Sequence, residues 1–341
     1  MLMEADNSSK GRLKFSLFML IGASLLLVAT AASISFGAAD MSLDVAWGAL
    51  FHFDSGIPEH HIIRIFRLPR TVADIVVGCS LAVCGAVMQG TTRNPLADSG
   101  LLGISSGSTF AIALCMAFLP GRSYVETMIY SCMGAAVATA ITYYMASVGK
   151  HGMTPQRLVL AGMSISMLFG SFSTYIALKY DIGQSLAYWT AGGTANVEWT
   201  QLVYVTPVFV AGLIWAITLS PSITVLNFGE ELAAGLGLRV NRIKGAATII
   251  VLLLTGLSVI VVGPIGFVGL IVPHIVRYII GVDYRYIIPA CALYGAVFMV
   301  GADLVGRLIG RPHEIPLGII FALIGVPYFL YLVRKQRREF G

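Results

Sequence analysis

The sequence predicts an all-α integral membrane protein with about ten transmembrane helices, and three observations predict it. Of its 341 residues, 57% are hydrophobic and 11% charged, against roughly 25% charged in a soluble domain. The apolar residues form continuous runs of about 20, enough to cross a bilayer as helices. They do not alternate over about ten residues, as the strands of an outer-membrane barrel would. The charged residues fall between the runs or near their ends.

Taken in order, the runs lie near residues 15–36, 69–91, 99–119, 124–147, 156–178, 200–219, 243–262, 265–281, 286–306 and 315–333. The first follows Lys10, Arg12 and Lys14 and so resembles a secretory signal peptide. It is long enough to span and many runs follow it, which favours an uncleaved helix. The eighth is short and glycine-rich. The implied organisation is a tail over 1–14, a ten-span domain over 15–333 and a tail over 334–341.

The distribution of the 22 Lys and Arg residues orients the chain. With the N-terminus inside, the cytoplasmic side holds the N-terminal cluster, Arg93, Lys150, Arg157, Arg239, Arg242, Lys244, Arg277, Arg285 and the C-terminal cluster. The outside holds fewer: Arg64, Arg67, Arg70, Arg122, Lys179, Arg307 and Arg311. By the positive-inside rule both termini are cytoplasmic. The formal charge of +5 is thereby explained by topology, without a nucleic-acid partner. An internal echo accompanies this layout. Arg67-Leu-Pro-Arg70 opens the second run and Arg239-Val-Asn-Arg242 precedes the seventh, and each of these runs is followed by a Gly/Pro-rich stretch. Five spans separate the two, so the halves would have inverted topology.

Cys79, Cys84, Cys115, Cys132 and Cys291 sit within apolar runs without ligand-like spacing and read as buried small hydrophobes. His60-His61 reads as a solvated loop rather than a ligand pair. Asp74, Glu126, Arg277 and Asp303 lie near run ends, and no acidic residue falls near the middle of one. That argues against an ion-coupled carrier. Gly149-Lys150 lacks the glycine spacing and the following Ser/Thr of a phosphate-binding loop. No catalytic or metal-ligand spacing stands out, so the chain is not read as an enzyme.

The polar interval from Asn227 to Lys244 separates two apolar runs on the cytoplasmic side. A short helix there, over Gly229 to Leu238, would suit docking to a separate ATPase. Glu230 and Glu231 near its start are favourable with the helix dipole. The alternative is an ordinary amphipathic helix lying on the headgroups.

Met88-Gln89-Gly90, Asn94-Pro95-Leu96-Ala97 and Leu101-Leu102-Gly103-Ile104-Ser105-Ser106-Gly107 resemble the FecCD-type permeases of ABC importers. So do Gly263-Pro264-Ile265-Gly266-Phe267-Val268-Gly269-Leu270-Ile271-Val272-Pro273-His274-Ile275-Val276-Arg277 and Gly301-Ala302-Asp303-Leu304-Val305-Gly306-Arg307. The resemblance runs from about Arg67 to Lys335. It implies a type II importer architecture in the bacterial cytoplasmic membrane, moving a ferric siderophore, with haem or cobalamin as alternatives. It further implies a second permease subunit (identical or paralogous), two cytoplasmic ATPases carrying ATP and Mg, an external substrate-binding protein, surrounding membrane lipid and no cofactor on this chain.

By the same resemblance, Gly229, Glu230, Glu231, Ala233, Ala234, Gly235 and Gly237 form the ATPase-coupling helix. Arg67, Arg70 and Arg307 become exposed docking residues for carboxylates of the binding protein. Gly162, Ser166, Gly170 and Thr174, four residues apart on the fifth run, form a small-residue stripe suited to close packing; the resemblance adds a place along the path. A cytoplasmic gate falls near Pro155 and Gln156, although the small hydroxyl residues of the cobalamin member are not retained there. His274 and Arg277 are read as structural, bonding backbone freed by the glycine-rich break.

Overall fold

The computed structural model describes residues 2–37, 41–148, 155–311 and 313–339, and these residues are helical almost throughout. Each of the ten apolar runs coincides with one helix. In chain order the helices are α1 (Leu2–Ser35), α2 (Leu43–Phe51), α3 (Pro58–Ile62), α4 (Leu68–Thr92), α5 (Ile104–Phe118), α6 (Tyr124–Ser147) and α7 (Pro155–Lys179). They continue with α8 (Gly183–Ala191), α9 (Trp199–Asn227), α10 (Glu230–Gly235), α11 (Val240–Val262), α12 (Val268–Ile280), α13 (Tyr284–Ile309) and α14 (Leu317–Glu339). Seven are long and apolar enough to cross a membrane; α5, α12 and the apolar part of α14 are shorter. α12 has 13 residues, about 20 Å of helix. α5 has 15 and follows a connection that contains a 3-10 turn over Ser99–Leu102. The two Gly/Pro-rich stretches noted in the sequence therefore precede two of the shorter apolar helices.

α4 is the centre of the bundle. A turn of π-helix over Ile63–Arg67 joins it to α3, and 89% of its apolar window is buried, against 17% for α1, 28% for α6 and 33% for α7. The peripheral helices therefore carry the surface offered to lipid or to partners. Lipid tails are as apolar as leucine, so side-chain burial alone gives helices little drive to associate; close packing and polar contacts decide. Here glycine supplies the close packing. Gly78 of α4 lies against Gly295 of α13, Gly85 of α4 against Gly269 of α12, and Gly107 of α5 against Gly134 of α6. At each crossing a Cβ on either glycine would enter the other helix's backbone.

Local sequence accounts for several helix ends. Ser123 and Glu126 form a reciprocal cap at the start of α6, with Ser123 Oγ 3.3 Å from Glu126 N and Glu126 Oε2 3.0 Å from Ser123 N, satisfying donors that a helix start leaves open. The cysteines are buried or partly buried, as expected. His60 corrects the sequence reading: it is buried rather than solvated. Its Nδ1 accepts the Asp54 N–H at 3.0 Å, and its ring packs under Gly48 of α2. An imidazole with one backbone partner and an apolar face fits a helix–helix corner better than open loop.

Candidate functional site

Three regions gather the chemistry-bearing residues. The first lies where the C-terminus of α1, the N-terminus of α4, the C-terminus of α13 and the approach to α14 meet. Arg70 donates from Nη2 to Asp303 Oδ1 at 2.7 Å, from Nε to both Asp303 oxygens at 3.1 Å, and from Nη1 to Glu314 Oε1 at 2.7 Å. Arg307 Nε sits 2.9 Å from Asp303 Oδ2. Its Nη1 donates to the Ser33 carbonyl at 3.0 Å and the Phe36 carbonyl at 3.3 Å, and its Nη2 to Ser33 Oγ at 2.5 Å. Arg67 Nη1 donates to the carbonyls of Ile34 and Ser35 at 2.6 and 2.9 Å.

This corrects the expectation that the three arginines stand exposed for docking. Arg67 is 8% exposed and Arg307 5%. The cause is the end of α1, whose last carbonyls have no intrahelical partner; two guanidinium forks satisfy them and favour the negative end of the helix dipole. Replacing Arg307 by Met should lower the stability of the detergent-solubilised permease by about 2 kcal/mol, since it leaves buried acceptors unsatisfied. Thermal unfolding against the unmodified chain measures it.

Beside this cluster is a cavity of about 930 Å³ within the one chain, walled by the end of α5, the start of α6, α8, residues 192–196, the end of α11 and residues 314–317. Its polar lining residues include Arg70, Tyr124, Thr194, Asn196, Gln201 and Glu314. The Tyr124 hydroxyl and Gln201 Oε1 are buried with no hydrogen-bond partner among the described residues. Nothing in the sequence reading located this cavity. Its walls come from residue 70 and four stretches far apart in sequence, 112–127, 182–201, 260–263 and 314–317, and its one local signal is the polar small-residue run Gly192-Gly193-Thr194-Ala195-Asn196.

The second region is α7. The stripe of four splits along the helix. Gly162 is buried, and Ser166 lies 3.2 Å from Ser106 of α5, which is packing. Gly170 has no heavy atom within 4 Å of an added Cβ, and Thr174 is exposed. Around them Met163, Met167, Phe172, Tyr175 and Leu178 form an exposed apolar face. Gln156 is exposed at the first turn; Pro155 opens the helix, its side chain lying outside the described residues.

The third region is α10 and its surroundings. The helix is shorter than the sequence reading of Gly229 to Leu238, spanning six residues. Gly229 at φ 139° and Gly237 at φ 84° end it on both sides, in backbone conformations that residues with a Cβ rarely adopt. Ala233 is fully buried with Leu226 and Ile243. Glu231, Leu232, Ala234, Gly235, Leu236 and Gly237 are exposed. Glu230 points the other way: its Oε1 accepts from Lys244 Nζ at 2.7 Å and lies 3.6 Å from Arg93 Nη2. Nearby, Arg277 Nη2 donates to Gln89 Oε1 at 2.8 Å and the Tyr284 hydroxyl at 3.0 Å, and Gln89 Nε2 reaches the Gly269 carbonyl at 3.2 Å. Arg277 thus holds structural contacts as expected, and among the described residues it reaches the backbone through Gln89. Asp98, in the connection from α4 to α5, is partly buried; burial raises its carboxyl above the usual range, against the backbone N–H groups of Ser99 and Gly100.

A model of the FecCD transport family matches residues 25–335. The chain is 43% identical over 320 residues to the iron(3+)-hydroxamate import system permease protein FhuB of Bacillus subtilis (strain 168), covering 94% of this chain and 83% of that protein. It is 41% identical over 332 residues to the Fe(3+)-citrate import system permease protein YfmD of the same organism, covering 97% and 98%. Among solved structures, it superposes on a metal-chelate type ABC transporter in an inward-facing conformation with a TM-score of 0.81 at 28% identity, over 93% of this chain and 98% of that one.

Proposed function

Because this chain belongs to the FecCD transport family, and is therefore a multi-pass transport subunit of an ABC importer rather than an enzyme, we propose that it moves a ferric siderophore across the bacterial cytoplasmic membrane. Two permease subunits, identical or paralogous, enclose the path. Two cytoplasmic ATPases bind ATP and Mg and power it, an external binding protein delivers the cargo, and this chain carries no cofactor of its own. All ten apolar helices span, both termini face the cytoplasm, and residues 15–333 form the permease domain. The two short spans behind broken stretches support an inverted pair of halves. The open face of α7, with Gly170 and Thr174, fits the path and the subunit interface, and Pro155 and Gln156 stand at its cytoplasmic start as gate candidates.

The observation that carries this reading is α10, a helix with exposed Leu232 and Leu236 set between two spans of a chain that matches importer permeases along almost its whole length. It gives a separate ATPase a surface to grip where the sequence has no nucleotide site. With Arg67 and Arg307 engaged inside the protein, external docking falls to the remaining edge of Arg70 and to the exposed Arg64 and Arg122.

The test is uptake into vesicles containing the permease, its ATPase and the binding protein. Ferric hydroxamate and ferric citrate should accumulate only with ATP inside the compartment that holds the ATPase, and proton uncouplers should not affect the rate. Gradient-driven uptake by this chain alone would refute the reading. Accumulation of haem or cobalamin, with none of either ferric chelate, would move the cargo assignment.

A further inference from the structure

We infer that Glu230 is a positioning residue that fastens the cytoplasmic helix α10 to the core of the permease, instead of a contact for the ATPase. The inference rests on the reading of α10 as the ATPase-docking helix and divides that helix into two faces with different work.

Glu230 and Ala233 stand three residues apart, on the same side of α10. Ala233 is enclosed by Leu226 at the end of α9 and Ile243 at the start of α11. The Glu230 carboxylate is shared by two cations from two other elements. One is Lys244 of α11, at 2.7 Å. The other is Arg93, at 3.6 Å, which terminates α4 in the left-handed conformation, φ 53°. One oxygen, Oε1, serves both cations. The remaining side of the helix, with Glu231, Leu232, Ala234 and Leu236, is exposed and free for a partner.

The consequence is a set of direct links from α10 to the bundle. Through Arg93 it reaches α4, the most buried helix, at the point where the chain turns into the connection to α5. Through Lys244 it reaches α11. The end of α9 is itself tied to α13, because Thr224 Oγ1 lies 3.1 Å from Asp283 Oδ1 and accepts the Tyr284 N–H at 2.9 Å. A displacement of α10 is thus passed to α4 and α11 by charge pairs, and to α9 by the chain. Both pairs are partly exposed, with side-chain exposures of 37 to 47%. They are weak as sources of stability, and what they supply is a fixed direction of pull.

The experiment uses the complete transporter in vesicles and measures cargo moved per ATP hydrolysed, alongside the amount of ATPase that co-purifies. Glu230→Gln should keep the ATPase at wild-type stoichiometry and lower cargo per ATP by about fivefold, the most that a partly exposed pair shifts an equilibrium. Lys244→Gln should lower it in the same sense, and the double variant should be no worse than Glu230→Gln, because Glu230→Gln already removes the pair with Lys244. Loss of the ATPase from the Glu230→Gln complex would overturn the inference, and so would unchanged cargo per ATP or additive effects in the double variant. If the unmodified permease itself retained no ATPase, it is the reading of α10 that would fail, which separates the two outcomes.

Discussion

Ala233→Pro is expected to abolish transport while leaving the external face of the permease intact. The Ala233 N–H closes the first turn of α10 on the Gly229 carbonyl at 3.0 Å, and proline both removes that donor and clashes with the preceding turn. The cost inside a helix is about 3 kcal/mol, more than a six-residue helix recovers from its own hydrogen bonds. The methyl group of Ala233 is also fully buried against Leu226 and Ile243, so the ring has no room to settle. ATP hydrolysis by bound or free ATPase should then proceed without cargo accumulation, and binding-protein affinity should match that of the unmodified permease. Retained ATP-driven uptake in vesicles containing Ala233→Pro would show that α10 is not where energy enters.

Gly85→Leu should prevent the permease from accumulating as folded protein. At this crossing the Gly269 backbone of α12 lies where the side chain of residue 85 would begin, and no rotamer avoids a contact made at Cβ. On the other side of the crossing, a Cβ on Gly269 would come within 2.6 Å of Asp98 Oδ1 and 2.8 Å of the Leu81 carbonyl. Parting the helices would also strain the hydrogen bond from Gln89 to the Gly269 carbonyl. Overpacking typically costs about 1–3 kcal/mol where side chains can yield; here backbone meets backbone and the penalty exceeds that range. The control is Gly170→Leu on α7, where an added Cβ meets nothing. Size-exclusion profiles in detergent should show monodisperse Gly170→Leu and little or no monodisperse Gly85→Leu.

How far the sequence alone was legible follows from what each feature depends on. The spans were legible because hydrocarbon thickness sets helix length and composition locally, residue by residue. α10 was legible as a polar interruption, yet its ends were not, since the positive φ of Gly229 and Gly237 that ends it is one of several conformations open to a glycine. The arginines mark the boundary most clearly. Their place at one end of the bundle could be inferred from charge distribution. Their partners could be inferred only in part: Asp303 lies one helical turn before Arg307, but Arg307 also binds Ser33 and Phe36 and Arg67 binds Ile34 and Ser35, far away in the chain and almost all backbone. Docking to an external partner and capping a neighbouring helix require the same residue type at the same depth. The cavity beside them was illegible for a related reason: volume belongs to the gaps between elements, and no single stretch of sequence encodes it.

The glycine crossings carry a consequence for how this chain can change over generations. In most packed contacts, enlarging one residue can be relieved by shrinking its partner, so the two positions drift together. Gly78 with Gly295, Gly85 with Gly269, and Gly107 with Gly134 allow no such exchange, because neither partner has a side chain left to give up. These six positions are therefore expected to stay fixed one by one, leaving no trace of correlated substitution. Contacts that bring α4 against α12 and α13 most closely would be the ones that a search for co-varying pairs fails to find.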